Sequence, residues 1–391
     1  MLTTRARTAQ AEPALLGSAL AAALVMAIGM GFGRFAYTGV YPVMVSEGVL
    51  TVHDGTLAAS ANYAGYLLGA LIAARLASHQ AYRWVLVSVA ASVVCLLALA
   101  FVSVPWGIVV IRGMAGVFSA LSMIAASLWL LQHKGHAHGA PILFGGVGAG
   151  IFLSAELIAI AQRLGASSFG LWAVLGSGSA ALGLLAVSRL DRAPARAAPT
   201  SAGDNAHATL GCWPLIAAYG LAGFGYIITA TYLPLLVKNG LGPVNPVQVW
   251  ALFGLGAAPS CYLWHRLHVR HGTHIALRAN LLVQALGVLL PVLVPHALGY
   301  IGSALVVGGT FVGTVTIVMP AAKRVAHHVA FNLMAIMTAA YGIGQIAGPL
   351  LASYLYAHSG TFASSLIAAG SALLLATVLT ARRPFRHPTH R

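Results

Sequence analysis

Acidic residues are almost missing from this chain, in which Asp and Glu together number six among 391 residues. Charged residues of all kinds amount to 7%, whereas soluble domains average about a quarter. So few charges exclude an ordinary water-soluble surface, and so few carboxylates argue against carboxylate-based catalysis. Cysteine is also scarce: Cys95, Cys212 and Cys261 form no spacing motif and are interpreted as small packing residues.

Long apolar segments take the place of the missing charge. The chain is 59% hydrophobic, its mean hydropathy is +0.87, and runs long enough for a membrane helix (roughly 17–25 residues) recur throughout. The first run continues beyond the length of a signal-peptide core and is expected to remain as a span. The pattern predicts an all-α membrane protein with twelve spans: 14–46, 55–78, 83–103, 105–132, 140–163, 167–189, 212–238, 247–267, 273–294, 297–321, 328–356 and 360–381.

Basic residues follow the loops asymmetrically. Sixteen of the 21 Lys and Arg residues fall at the termini and in alternate loops: Arg5, Arg7, Arg75, Arg83, Lys134, Arg189, Arg192, Arg196, Arg266, Arg270, Lys323, Arg324, Arg382, Arg383, Arg386 and Arg391. Only Arg163 and Lys238 fall on the other side. The positive-inside rule therefore predicts an inner (plasma) membrane protein with both termini in the cytoplasm. This location explains the +15 formal charge without nucleic acid as a partner.

The two halves of the chain repeat one motif. GFGRFAYTGVYPVMVSEG (31–48) aligns without gaps on GFGYIITATYLPLLVKNG (223–240), a shift of 192 residues with six identities in 18 positions. Chance similarity between glycine-rich helices is the alternative. The repeat predicts two parallel six-helix bundles, 1–190 and 212–391, joined by a polar, proline-containing cytoplasmic linker at 191–211.

Several stretches carry a family resemblance. IRGMAGVFSA (111–120) contains the R-x-x-x-G pattern of Arg112 and Gly116, and GLGAAPSCYLWHRLHVRHG (254–272) resembles a glycine-and-basic loop. With the two-bundle organisation, these resemble the major facilitator superfamily. Its YbfB/YjiJ-type branch is indicated by the first span and by NYAGYLLGA (62–70), GGVGAGIFLS (145–154) and YGIGQIAGPL (341–350). One departure is Ala73, where the superfamily usually has an Asp.

Arg34 is the most conspicuous residue of the first span. Tyr37, Thr38 and Tyr41 follow it at i+3, i+4 and i+7, on one face of a helix. A guanidinium flanked by hydroxyls suits a polar cavity, and its planar fork suits a carboxylate or phosphate. We therefore expect these four residues to bind substrate. The alternative for Arg34 is a structural ion pair with Glu156 or contact with a helix C-terminus.

Glu156 is the one carboxyl group deep within a span. Such a group is expected to be protonated, paired or exposed to a wet cavity, so it is the candidate for carrying a proton. A structural pair with Arg163 is the alternative. For Arg112, the resemblance implies a part in proton movement or in packing of the first bundle.

Other polar residues recur at one-turn spacing in spans that, by the resemblance, lie at or beside the cavity. They are either substrate contacts or interhelical hydrogen-bond partners: Asn62, Tyr66, Tyr226, Thr229, Tyr341 and Gln345. The histidines at 265, 268, 271 and 274 have no acidic or cysteine ligand beside them. We therefore expect no metal and no cofactor.

These features predict a monomeric secondary transporter, not an enzyme, that works by alternating access. Its partners are a small organic solute, protons and membrane lipids, and its one cationic cavity residue favours an anionic or zwitterionic solute. The chain has no nucleotide-binding motif. Three alternatives remain open: an uncoupled facilitator, a multidrug-type exporter of the same fold, and a membrane receptor or sensor without transport.

Overall fold

The computed structural model describes residues 15–192, 210–240, 245–326 and 329–381. Its elements are helices throughout these ranges, as the hydropathy pattern predicts. Ten of the described helices are long and apolar enough to cross a membrane. Most of the expected linker at 191–211 lies outside the described residues, so its conformation stays a prediction.

Six long helices form the part of the chain before the linker. They are α1 Leu15–Ser46, α2 Val52–Ala73, α3 Ala81–Leu99, α4 Pro105–His133, α5 Ala140–Arg163 and α6 Ser168–Arg189. Two of them contain π-helical stretches, Ala27–Phe35 within α1 and Leu128–His133 at the end of α4. The wide turns of a π-helix are rare and concentrate at functional sites, which directs attention to the middle of α1.

The second half differs from the expected spans at one place. Residues 247–267 and 273–294 were expected as separate spans, whereas helix runs through Pro246–Leu293 with a kink at Gly272. Gly272 has φ 78° and ψ 172°, a conformation that only glycine adopts readily, so the chain turns there without a loop. The helices are α7 Cys212–Gly240, the two arms α8 (246–271) and α9 (273–293), α10 Ala297–Ala326, α11 Leu333–Ser359 and the shorter α12 Ala363–Leu379.

Helix starts follow their capping residues. The Thr51 hydroxyl accepts a hydrogen bond from the backbone N–H of Asp54 at 3.1 Å, and the Asp54 carboxylate accepts one from the backbone N–H of Thr51. This reciprocal capping box makes Thr51 the N-cap and Asp54 its partner. Asn245 and Asn332 cap α8 and α11 with their side-chain oxygens. These residues satisfy N–H groups that a helix start leaves without partners.

Three pairs of helices form the most extensive contacts between the two halves. α1 contacts α7, α2 contacts α11, and α5 contacts α8. At the last of these, a Cβ added to Gly148 would lie 2.6 Å from the Cα of Ala258, closer than atoms can approach. Glycine therefore lets the backbones of α5 and α8 touch, as small residues do between membrane helices.

The helices give the molecule two ends of different charge. We call one the basic end; among the described residues it carries Arg75, Arg83, Lys134, Arg189, Arg192, Arg266, Arg270, Lys323 and Arg324. The other, which we call the opposite end, carries Arg163 and Lys238. The charge asymmetry of the sequence thus becomes an asymmetry along the helix axes.

Candidate functional site

A cavity of about 510 Å³ lies between the two halves. Its lining begins at buried residues in the middle of α1 and α11, among them Arg34 and Gln345, and reaches exposed residues at the basic end, among them Ala74 and Asn332. Helices α1, α2, α4 and α5 form one wall, and α7, α10 and α11 form the other. The cavity therefore opens towards the basic end, and its size is that of a small-molecule site.

Arg34 lies at the buried part of this cavity. Only 3% of its surface is exposed, and its Cζ lies 4.1 Å from the ring centroid of Tyr66 and 5.0 Å from that of Tyr63. Its Nε and Nη2 atoms are buried and make no hydrogen bond. The two tyrosine rings stabilise the guanidinium by cation–π contact, but no anion among the described residues neutralises it. The expected alternative of an ion pair with Glu156 does not occur.

Arg112 binds the backbone of α1 beside this site. Its Nη1 donates to the carbonyl oxygen of Gly33 and its Nη2 to that of Arg34, both at 2.9 Å. Its Cζ also lies 4.5 Å from the ring centroid of Tyr37, and the Asn62 amide donates to the carbonyl oxygen of Arg112 at 2.9 Å. Arg112 and Asn62 thus fix the end of the π-helical stretch and lie outside the cavity lining.

The second half contributes an aromatic wall. Tyr226, which aligns with Arg34 in the repeat, lines the cavity together with Tyr341 and Gln345. The Gln345 amide donates to the Tyr226 hydroxyl at 2.6 Å. Phe311 and Tyr341 stack on either side, with centroids 5.3 and 5.9 Å from that of Tyr226. The two repeat-related positions therefore line the same cavity, Arg34 with a cationic side chain and Tyr226 with a phenol.

Five of the expected substrate contacts lie elsewhere, Asn62 among them. Tyr37 donates to the carbonyl oxygen of Gly55 and Tyr41 to that of Val52, each at 2.9 Å. Thr38 donates across to the second half, and the Thr229 hydroxyl is buried without a partner. The structure therefore brings together Arg34, Tyr66, Tyr226, Tyr341 and Gln345 of the expected set, and separates Tyr37, Thr38, Tyr41, Asn62 and Thr229 from them.

The opposite end is closed by contacts between the halves. Between the described residues, five hydrogen bonds join them there: Thr38 to the carbonyl oxygen of Ala230 at 2.8 Å, Thr56 with Tyr232 at 2.7 Å, Tyr63 with Thr231 at 2.9 Å, Lys238 to the carbonyl oxygen of Pro42 at 3.0 Å, and Gln248 to Glu156 at 3.4 Å. These contacts separate the cavity from the solvent at that end.

Glu156 is half-buried and belongs to this closed end, not to the cavity. Its Oε2 accepts the 3.4 Å hydrogen bond from Gln248 at the start of α8. No ion pair with Arg163 occurs in the part of the chain that the structure describes. The carboxyl group therefore bridges α5 and α8 where the two halves meet.

Among the cavity residues that sequence reasoning missed are two members of the aromatic wall, Tyr219 and Phe311. Tyr219 stacks on Tyr341 with centroids 4.3 Å apart, and it lies seven residues before Tyr226, on the same face of α7. That spacing was a usable signal. Phe311 lies in an apolar stretch of α10 without any pattern that distinguishes it.

His268 of the histidine cluster contacts neighbouring helices at the basic end. Within the described ranges no group of three or more His, Cys, Asp or Glu side chains is placed to hold an ion. Instead, His268 Nε2 lies 3.0 Å from the Thr273 hydroxyl and 3.2 Å from Nη2 of Arg324. These contacts join α8, α9 and α10 at the basic end.

Comparisons with known proteins agree with this architecture. Residues 26–381 match the family described as "Uncharacterised MFS-type transporter YbfB". Among solved structures, the crystal structure of a point mutant of the nucleoside transporter NupG is similar, with a TM-score of 0.65 at 13% identity over 94% of this chain and 98% of that one. At that identity the likeness shows the fold alone. A search of curated proteins finds no significant match.

Proposed function

Because the chain belongs to the YbfB-type family of major facilitator transporters, we propose that it moves a small organic anion or zwitterion through the cavity between its halves. It is a transporter and not an enzyme. The observation that carries the choice of solute is Arg34, which lines the cavity and has two buried nitrogen atoms without hydrogen-bond partners. A buried cation without a counter-ion is costly, and a bound anion offsets that cost.

Alternating access is the mechanism that the two ends support. In the structure the cavity opens at the basic end while five hydrogen bonds close the opposite end. Rocking of the halves about Arg34 would exchange these roles. In this proposal α1–α6 and α7–α12 are two six-helix bundles with twelve spans, the kink at Gly272 separating two of them.

Orientation follows from the positive-inside rule. In this proposal the protein lies in the inner (plasma) membrane, with its basic end in the cytoplasm. Both termini and the linker are then cytoplasmic. Because the cavity opens at the basic end, the structure is the inward-open conformation. One such chain, as a monomer, contains the whole cavity. Glycine contacts such as that of Gly148 permit α5 and α8 to move closely past each other.

We assign proton coupling to Glu156, and its position at the closed end supports this proposal. Gln248 on α8 stabilises the ionised carboxylate of Glu156 on α5 by a hydrogen bond. This hydrogen bond is lost when α5 and α8 separate at this end. Protonation removes the charge and alters the free-energy difference between the two conformations. Arg112 contributes by holding α1 and does not itself face the cavity.

The rival functions predict different observations. A multidrug exporter of cations would need a carboxylate in the cavity, and the lining contains none. An uncoupled facilitator would show flux that ignores an imposed pH gradient. A receptor or sensor would bind a ligand saturably and show no flux.

The test is a binding screen followed by transport. Purified wild-type protein is screened by thermal shift against anionic, zwitterionic, neutral and cationic metabolites, and the ligands that stabilise it are assayed for flux in proteoliposomes. Arg34→Gln is expected to weaken anion binding at least ~30-fold, because a charge-assisted pair is lost. Arg278→Gln, at an exposed position of α9, is the matched control. Equal affinity in Arg34→Gln and wild type would overturn the assignment.

A further inference from the structure

Arg34 lines the buried part of the cavity, and one edge of its guanidinium is buried without a hydrogen-bond partner. Nε and Nη2 of Arg34 lie on the same side of the guanidinium, and neither has a hydrogen-bond partner. Two parallel N–H groups in this arrangement match the two oxygens of a carboxylate. The same lining includes no Asp or Glu, so a cationic group on the ligand would meet repulsion without compensation.

The same region offers one free acceptor. Gln345 is 1% exposed; its Nε2 donates to the Tyr226 hydroxyl, and its Oε1 is buried without a partner. The tyrosine thereby holds the amide with its oxygen unused. A buried acceptor left unsatisfied costs about 1–3 kcal/mol. A ligand O–H or N–H that donates to Oε1 removes that cost.

The remaining walls are flat and aromatic or apolar. Tyr219 stacks on Tyr341, Tyr341 on Tyr226 and Tyr226 on Phe311, with centroid distances of 4.3, 5.9 and 5.3 Å. In the first half of the chain, the Tyr66 ring faces the guanidinium of Arg34. Met, Leu, Ile and Val side chains fill most of the rest of the lining. Such walls suit a planar ring better than a flexible, heavily hydroxylated chain.

We infer that the solute class is an aromatic carboxylic acid that carries one hydroxyl or N–H donor away from its carboxylate. The carboxylate binds Arg34, the donor binds Oε1 of Gln345, and the ring lies along the tyrosines. This inference rests on the proposed function and deepens it, because it names the cargo of the same cavity.

The experiment compares five probes on purified wild-type protein by isothermal titration: 4-hydroxybenzoate, benzoate, phenol, cyclohexanecarboxylate and uridine. We expect 4-hydroxybenzoate to bind most tightly. Benzoate, without the hydroxyl, is expected to bind about tenfold more weakly, and cyclohexanecarboxylate, without the aromatic face, about threefold more weakly than benzoate. Phenol and uridine lack the anion and are expected to bind at least ~30-fold more weakly than 4-hydroxybenzoate.

Gln345→Leu tests the acceptor. This variant is expected to reduce the ratio of 4-hydroxybenzoate to benzoate affinity from about ten to about one, because leucine has no acceptor. Gln284→Leu is the matched control: Gln284 is also buried, in α9, and lies outside the cavity lining. The control is expected to keep the wild-type ratio. The wild-type probe series tests the inference even where Gln345→Leu does not fold.

The outcomes separate the inference from the proposed function. Equal wild-type affinity for 4-hydroxybenzoate and benzoate, or an unchanged ratio in folded Gln345→Leu, overturns the inference. Arg34-dependent flux of an acyclic anion with no response to the aromatic acids also overturns it and leaves anion transport standing. Selective binding of 4-hydroxybenzoate without flux in proteoliposomes supports the inference and overturns transport.

Discussion

The Thr38 hydroxyl donates a 2.8 Å hydrogen bond to the carbonyl oxygen of Ala230, and these residues occupy equivalent positions of the repeat, 192 residues apart. Equivalent positions of two parallel repeats contact each other only close to the axis that relates them. The contact therefore marks where α1 and α7 approach that axis. It also marks the level at which the cavity ends, since Arg34, one turn away, lines it.

Thr38→Val is expected to favour opening of the opposite end. The variant keeps the shape of the side chain and removes one hydrogen bond, worth about 1 kcal/mol, so the ratio of outward-open to inward-open protein should rise about fivefold. Spin labels at Ser46 and His296, exposed residues of the two halves at this end, report the change as a longer distance. Thr377→Val, whose hydroxyl binds within α12, is the control and should leave the distances unchanged.

Arg112→Lys is expected to weaken anion binding about tenfold without touching the cavity. Lysine cannot bind the carbonyl oxygens of Gly33 and Arg34 with a planar fork, so the end of the π-helical stretch loses its fixed position. A double-mutant cycle checks the route of the effect. If Arg112 acts through Arg34, Arg112→Lys should cost no further affinity in the Arg34→Gln background; an additive loss would contradict this.

Glu156→Gln is expected to abolish solute accumulation driven by a pH gradient while solute exchange at equal pH continues. The amide can still pair with Gln248, but it cannot gain or lose a proton. Both modes are measured in the same proteoliposomes. Glu47→Gln is the control at the same end, since Glu47 accepts hydrogen bonds from the backbone N–H of Ser168. If solute accumulation driven by a pH gradient persists in Glu156→Gln, Glu156 is not the group that couples transport to protons.

Gly148→Ala is expected to slow transport at least ~10-fold and to lower thermal stability. The added methyl group prevents the close approach of α5 and α8 and so weakens the packing between them. Its new methyl group would lie 2.6 Å from the Cα of Ala258 and from the carbonyl oxygen of Gly254, so α5 and α8 must separate. Gly309→Ala is the matched control, because a methyl group there would meet the carbonyl oxygen of Gly256 at 3.7 Å, an ordinary contact. Equal turnover in the two variants would show that this approach is not needed for the cycle.

Hydropathy and charge were sufficient to predict the helical membrane class and the position of nearly every helix. The exception was Gly272, because a single residue with positive φ reverses the chain where the sequence suggested a loop. The repeat was informative beyond fold: it paired Arg34 with Tyr226, and both line the cavity.

The wall of Arg34, Tyr37, Thr38 and Tyr41 was inferred from helical periodicity alone. Periodicity gives the face of a helix but not the depth at which a cavity closes. Tyr41 lies seven residues beyond Arg34, about 10 Å along the axis, where the halves already touch. Similarly, the sequence placed Glu156 deep in a span but could not show that Gln248, 92 residues away, faces it.

The contacts of the opposite end have a consequence for the conditions under which the protein works. Three of the five hydrogen bonds, those of Thr38, Thr56 and Tyr63, join uncharged groups. Dissolved ions screen charges and leave dipolar hydrogen bonds nearly unaffected. The balance between the two conformations should therefore respond little to ionic strength, and a change of external salinity should leave the closed end in place.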